Sequence, residues 1–417
     1  MANNVIQVFE HETLKVGQRG FSEKHLQLLD QFRGDREDSA FGYYSLVHHG
    51  VKFKQFVGVL CVGDLQIEVL PKVERDFQNL AEEHDTSRNY LLQMLSTVYR
   101  LKVEIPSSAE QRLVHSRVLD VFLEQLLNEV EKLLHIGLIK TYRKVEGNNS
   151  SLKGRLVMSR HLTSNVVHQE RFYTEYTTYD RNHVCNCILH KALQFIPDVT
   201  SNVYLQHRAK ALLFEWPEVN DIAITETLFS RLSYDRKTED YRPAMEIAKL
   251  LLLQQQPNLK SRSNKQVLAL MFDMNKLWEE FVFLKLRKAL SPDYKVSAQE
   301  HHLFWKSDVV GRKQIIPDIV VRQGNRCVAV LDTKWKCPKD GKPSDADLKQ
   351  MYVYHKFLHE PEMAASSPST ALVYPAFSDS VVEGYFCEDT APRCSMIYLS
   401  IDNLIKGRIE RDTFSLV

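Results

Sequence analysis

The chain has 417 residues, 44% of them hydrophobic and 26% charged, which is the balance of an ordinary soluble globular protein with room for two or three cores. Its formal net charge of +1 excludes reading a nucleic-acid partner from global charge, so any such surface is local. The seven cysteines include no CxxC pair, which argues for reduced thiols and against a zinc site. No apolar run approaches the roughly 20 residues that span a bilayer.

In chain order, residues 1–75 read as β-rich. Residues 51–59 and 65–70 alternate with period two around a turn at 62–64, and Pro71 ends the second strand. Residues 86–137 are helical in pattern: Leu91, Leu92, Leu95 and Val98 recur at helical spacing, as do Leu119, Phe122, Leu123, Leu126, Leu127 and Val130, and Gly137 is a helix stop. The polar run 146–151 reads as a loop or hairpin tip. Residues 173–179 are β-like, and 182–195 return to helix with Asp180 or Asn182 as the expected cap. Another helix is expected over 243–255, followed by a linker at 254–258 with Ser261 and Ser263 beyond it.

From about 265 the expected order is a helix over 267–290, two apolar strands around Gly324-Asn325, a Pro/Gly/Asp-rich loop at 337–347, and a helix over 348–359. Strand-like segments follow at 370–375 and 395–399. The expected fold class is therefore α/β (α+β), in three consecutive blocks: a β-rich domain over 1–80, a mainly helical middle region over 81–258, and a sheet domain over 259–417. The N-terminus, beginning Met1-Ala2-Asn3, has no basic segment followed by a long apolar run; the expected location is cytoplasmic, with no membrane partner.

The last block carries the chemistry. Pro317-Asp318 opens one strand, and Asp332-Thr333-Lys334 closes the next. Strand alternation puts residues i and i+2 on one face, so Asp332 and Lys334 point the same way, and Asp318 on the neighbouring strand reaches the same spot. Two carboxylates and an ammonium at a sheet edge suit Mg²⁺, with Mn²⁺ as a substitute, acting on a phosphodiester. Asp318 and Asp332 are the expected ligands, with the main-chain carbonyl of Thr333 as a further oxygen. Lys334 stabilises developing charge or orients the attacking water. Glu279, from the helical run 277–282, is expected to complete the set. Gln350 and Tyr354 stand at i and i+4 on the following helix and are expected to hold a phosphate or position the lysine.

The arrangement resembles the PD-(D/E)xK nuclease superfamily, and the Gln350-x-x-x-Tyr354 spacing resembles the helix motif of its RecB-like branch. The resemblance implies a mixed sheet flanked by helices. Several further blocks are similar to the McrC subunit of the 5-methylcytosine-specific McrBC restriction system: residues 57–59 with 65–73, residues 89–95, the Leu152-Lys153-Gly154-Arg155-Leu156 segment, residues 277–282 and residues 347–352. Trp278 stands where that family more often has Phe.

This resemblance implies an α/β chain whose N-terminal β-rich and helical regions dock on a hexameric McrB-like AAA+ GTPase and stimulate its hydrolysis. The C-terminal domain would cut double-stranded modified DNA as part of an antiviral restriction system, and the partner would read the modified base. Consistently, the chain has no GxxxxGK[ST] phosphate loop. Two alternatives stay open: a stand-alone RecB-like repair nuclease, and a non-catalytic adaptor that activates an AAA+ partner.

Smaller signals are weaker. Lys153 and Arg155 read either as a basic tip touching the partner or as a solvated turn. His301-His302 beside Phe304-Trp305 reads as a surface histidine pair next to core aromatics, with base stacking as the alternative. Lys260, Arg262, Lys265, Arg312 and Lys313 make the approach to the sheet domain locally basic.

Overall fold

The structure, a computed structural model, describes residues 4–34, 42–62, 65–73, 80–100, 117–253, 255–256, 267–307, 311–336, 338, 341–358, 368–376, 382–385 and 394–408. The chain is a mixed α/β protein with several sheets, divided into two compact units. One comprises Met1–Asn4, Leu60–Gln66 and Arg117–Leu270; the other comprises Val5–Val59, Ile67–Ser116 and Met271–Val417. Their segments interleave, so they do not map one-to-one onto the blocks 1–80, 81–258 and 259–417. Most of the expected linker, with Lys260, Arg262 and Lys265, lies outside the described residues.

The first unit packs the helices Val118–Ile136, Val184–Val199, Val203–Glu215 and Arg242–Leu253 beside a three-stranded antiparallel sheet. Leu119, Phe122, Leu126 and Val130 recur every three or four residues on the first helix and are all fully buried, the stripe a helix needs to face a core. Asn186 ties helix to sheet. Its amide donates to the carbonyls of Ile139 (3.0 Å) and Arg181 (2.7 Å), and its Oδ1 accepts from the Tyr241 hydroxyl at 2.9 Å. A buried amide held this way leaves none of these polar groups uncompensated.

The sheet of this unit is ordered Thr141–Asn149, Phe172–Asp180, Arg155–Leu156. The run 146–149, expected as a loop or hairpin tip, is instead the end of the first strand, with Glu146 opposite Glu175 and Asn149 opposite Phe172. Pairing with a long Tyr/Thr strand outweighs turn-like composition. The expected cap of the following helix is also corrected. His183 Nδ1 accepts from Cys185 N at 3.2 Å, while Asp180 accepts from Asn182 N and Asn182 Oδ1 accepts from Asn220 N.

The second unit begins with strands and a helix, Glu23–Gly34, that the β-rich reading of 1–75 does not contain; it is polar overall and anchored by buried Leu29. A second correction concerns 267–290. Residues Val267–Asp273 form a strand, and only then does the helix Met274–Leu290 start. An apolar run of this length fits either state by periodicity, and Asp273 decides it by capping the helix through Asn275 N at 2.9 Å.

The centre of this unit is a six-stranded mixed sheet. Its order is Lys295–Ala298, Ile319–Gln323, Arg326–Thr333, Ser369–Ala376, Cys394–Ser400, Val382–Tyr385. The first three strands are antiparallel, with Gly324 at φ +61° in the two-residue turn between the second and third. The next two run parallel to Arg326–Thr333, so the chain must cross over, and the helix Asp345–Leu358 makes that crossing. Val320, Val330 and Leu372 from the sheet pack with Met351, Tyr354 and Leu358 from this helix in one buried cluster.

Candidate active site

Asp318 directly precedes its strand and stands beside the end of Arg326–Thr333, because Ile319 pairs with Leu331. Its Oδ2 accepts from Thr333 N at 2.7 Å and from Thr333 Oγ1 at 3.0 Å. Asp332, one residue earlier, is almost completely buried. Its Oδ1 accepts from Gln350 Nε2 at 3.0 Å. Its Oδ2 faces the Lys334 ammonium, 2.5 Å away, as a close charge-assisted pair.

Burial, reinforced by the charge of Asp318, raises the Asp332 carboxyl to about 6 despite the neighbouring lysine. For Lys334, burial pulls the ammonium down, but Asp332 and Asp347 together outweigh it, so Lys334 is held above its ordinary value and stays charged.

The Asp345–Leu358 helix supplies an aligned row. Gln350 Nε2 also donates to the Tyr354 hydroxyl at 2.6 Å, and that hydroxyl donates to Ile316 O at 3.2 Å. Residues i and i+4 of one helix face thus connect the Asp332 carboxylate to the backbone just ahead of Asp318. A cavity of about 420 Å³ lies alongside, lined by Gln314, Ile316, Lys349, Gln350 and Tyr354 among others.

Glu279, on the Met274–Leu290 helix, accepts from Gln299 Nε2 at 2.9 Å. Burial first, and then the charge of Asp318, raises it to about 7. Gln299 links Glu279 to Asp318, since its backbone N–H donates to Asp318 O at 3.0 Å while its side chain holds Glu279.

Two residues at the site are not among the expected site residues. Asp347 lies 3.7 Å from Lys334 Nζ and 3.3 Å from Lys336 Nζ, a second counter-ion for the lysine. Its signal was its place in the first turn of the helix, three residues before Gln350. Gln299, at φ +50°, donates its N–H to Asp318 O at 3.0 Å as its side chain reaches Glu279; nothing local in the sequence marks it.

Lys153 and Arg155 belong to the other unit. Lys153 Nζ sits 4.2 Å from the centre of the Tyr176 ring, and Arg155 pairs with Glu175 at 2.9 Å. The expectation that Phe304 and Trp305 are core aromatics is corrected: both are about half exposed, on the strand His302–Ser307.

Oxygen donors gathered at one strand end and mutual repulsion among Asp318, Asp332 and Glu279 fit a hard divalent cation. Among the described residues no three His, Cys, Asp or Glu side chains are already gathered as a metal cluster, so the Asp332–Lys334 pair has to loosen for an ion to share the carboxylate.

The model of the family described as McrBC 5-methylcytosine restriction system component matches residues 51–375. No curated protein matches the chain. Among solved structures, a chain of the refined half-complex from the tetradecameric assembly of Thermococcus gammatolerans McrB AAA+ hexamers with bound McrC aligns with a TM-score of 0.68. Identity is 21%, over 97% of this chain and 99% of that one. A chain of the Thermococcus gammatolerans McrBC complex solved by cryo-EM aligns at 20% identity and a TM-score of 0.48, over 69% of this chain and 88% of that one. The first likeness speaks to the fold; the family match covers most of the chain, and the protein belongs to the family of McrBC 5-methylcytosine restriction system components.

Proposed function

We propose that this chain is the McrC-type subunit of a modification-dependent restriction complex and that it cuts double-stranded DNA with Mg²⁺. The carrying observation is the buried Asp332 carboxylate, held between Gln350 Nε2 and Lys334 Nζ with Asp318 beside it. Carboxylates shifted by burial and by specific charged neighbours, grouped with an ammonium and an amide beside a cavity, are the groups an active site gathers.

In this reading the sheet domain has a PD-(D/E)xK layout, and Asp318, Asp332 and Glu279 hold Mg²⁺, or Mn²⁺ in its place. The bound ion would supply a Lewis acid and a water of lowered pKa. Lys334, kept cationic by Asp332 and Asp347, would stabilise the charge that develops on the phosphate oxygens or orient the water. Gln350 would fix the rotamer of Asp332, and Tyr354 would fix Gln350 against the Ile316 carbonyl.

The partner would be a hexameric McrB-like AAA+ GTPase that reads the modified base and is stimulated by this subunit. Family membership and likeness to a chain from an McrB–McrC assembly support that pairing. The middle region would dock on it, with Lys153 and Arg155 exchanging their Tyr176 and Glu175 contacts for partner groups. A cytoplasmic location fits a DNA substrate, and no helix among the described residues is long and apolar enough to cross a membrane.

The test is Mg²⁺-dependent cleavage of methylated plasmid by the chain with its purified partner. Asp332→Ala and Lys334→Ala should each abolish cutting and leave partner binding intact. Retained cleavage by both variants overturns the assignment. Stimulated GTP hydrolysis with no cleavage by the parent chain would establish the adaptor reading instead, and cleavage indifferent to the partner the stand-alone nuclease.

A further inference from the structure

The strands His302–Ser307 and Gly311–Ile315 form a sheet of two, separate from the six-stranded one. Two strands alone have no second layer to bury a face, so such a ribbon is held by what fastens its root. Here the Phe357 ring of the Asp345–Leu358 helix meets the rings of His302 and Phe304 at 6.0 and 6.1 Å, and His301 Nδ1 lies 2.9 Å from Gln314 Oε1.

The ribbon is unusual in what it exposes. Leu303, Phe304 and Trp305 are 49%, 53% and 47% exposed, three consecutive large apolar residues left in solvent. A register shift between Leu303 and Trp305 accompanies this, a bulge that breaks the simple alternation. Apolar groups exposed in a row mark an interaction surface. The cross-strand partners specify its kind: Trp305 stands opposite Lys313 and Lys306 opposite Arg312, and Arg312 and Lys313 are exposed. Protein interfaces enrich aromatics but deplete lysine. Aromatic side chains interleaved with lysine and arginine on a β-ribbon match duplex DNA, whose major groove admits such a ribbon and offers apolar sugar and groove edges beside phosphates.

The ribbon's position adds to this. From Ile315 the chain runs through Ile316 and Pro317 straight to Asp318, and Ile316 O accepts from Tyr354. The cavity of about 420 Å³ joins Gln314 at the ribbon's root to Lys349, Gln350 and Tyr354 on the helix.

We infer that the ribbon of His302–Ser307 and Gly311–Ile315 is a DNA-binding arm, with Phe304 and Trp305 laid against sugars and groove edges of the duplex and Arg312 and Lys313 on its phosphates, so that the strand to be cut enters at the Gln350 side of the site. The inference rests on the DNA-cutting reading and deepens it. It assigns substrate contacts to residues outside the acidic cluster.

The experiment uses the full chain with EDTA and a short fluorescein-labelled duplex, so that nothing is cut. Trp216 and Trp278 are buried and Trp335 is partly covered, which leaves Trp305 as the most exposed tryptophan among the described residues. Duplex should therefore quench tryptophan emission in the parent and not in Trp305→Phe. Trp305→Ala should weaken duplex binding roughly tenfold, and Trp305→Phe should restore most of it. Replacing Arg312 and Lys313 together by Gln should reduce the slope of log affinity against log salt by about two. Unchanged melting temperatures should confirm that the variants fold.

The arm is overturned if the parent fails to bind duplex at low salt, or if the variants bind with the parent's affinity and salt slope. It is equally overturned if they lose only their hold on a McrB-like partner. Failure of the cutting reading shows separately, as Mg²⁺-dependent cleavage surviving in Asp332→Ala while the arm variants still lose binding.

Discussion

Gln350 and Asp332 are joined across the crossover: the amide of a helical residue donates a 3.0 Å hydrogen bond to a buried carboxylate oxygen at a strand end. The same amide is fixed by Tyr354, so the carboxylate is oriented by a side chain that is itself oriented. Supporting contacts of this kind typically change metal affinity or activity by about 10–100-fold when removed. Gln350→Ala should therefore raise the Mg²⁺ concentration needed for half-maximal cleavage within that range, without shifting the melting temperature by more than a few degrees. Gln350→Glu, which places a third carboxylate against Asp332 and Asp318, should be worse. Equal Mg²⁺ requirements in parent and Gln350→Ala would refute the positioning role.

The acidic cluster also sets a pH dependence. Asp332 is raised to about 6 and Glu279 to about 7, so in the ion-free protein both give up their protons later than in the unfolded chain. Their contribution to stability is full below the unfolded values and is lost as pH rises through about 6 to 7. Ion-free melting temperatures should fall across that window. Mg²⁺ favours the ionised carboxylates, so the increase in melting temperature that it causes should grow as pH rises from 5.5 to 8. A Mg²⁺ effect independent of pH would contradict the assignment of these groups as ligands.

Glu10 is another buried carboxylate, distinct from the acidic cluster. Burial raises it to about 7, although its Oε1 accepts from Trp335 Nε1 at 2.7 Å and Lys72 N at 3.1 Å; its Oε2 has no hydrogen-bond partner. Its ionisation therefore costs stability above pH 7, by up to about 3 kcal/mol. Glu10→Gln keeps the acceptor and removes the charge. Urea denaturation should show the variant more stable than the parent at pH 8 and nearly equal to it at pH 5. Loss of stability at both pH values would mean that the ionised form is the one the fold prefers.

Trp278 fills the core completely and packs on Phe281 and Trp335, with ring centroids 6.2 and 5.5 Å away. Its indole N–H has no partner, so the ring is held by volume alone. Trp278→Ala should cost about 3–5 kcal/mol, whereas Trp278→Phe should cost much less, since it removes an uncompensated donor along with part of the ring. Chemical denaturation of the two variants checks the order. Similar losses for both would point to a specific role for the indole.

Gly154 has φ +79°, and a Cβ there would stand 2.4 Å from Glu175 O and 2.6 Å from Tyr176 Cβ. Backbone cannot yield as a flexible side chain does, so Gly154→Ala should distort the three-stranded sheet that carries Lys153 and Arg155. Partner association measured by co-sedimentation should drop at least tenfold. Unaltered association would separate this sheet from the docking surface.

The sequence by itself determined the elements and chemistry that depend on near neighbours. Strand alternation placed Asp332 and Lys334 on one side, and helix spacing did the same for Gln350 and Tyr354; both follow from fixed backbone periods. The short blocks spread from 57 to 354 were legible for the same reason, and the family match over 51–375 bears out the resemblance they carry. Where an apolar run suited either period, as at 267–273, or where pairing with a distant strand overrode turn composition, as at 146–149, local pattern was insufficient.

Only the tertiary structure decided which groups surround the acidic pair. Asp347 meets Lys334 because the crossover helix begins there, and Gln299 reaches Glu279 from a left-handed residue between a strand and a ribbon. Glu10 meets Trp335 across 325 residues of chain. Side-chain electrostatics act over a few ångströms of space, and separation along the chain carries no record of that distance until the sheet and its crossover have formed.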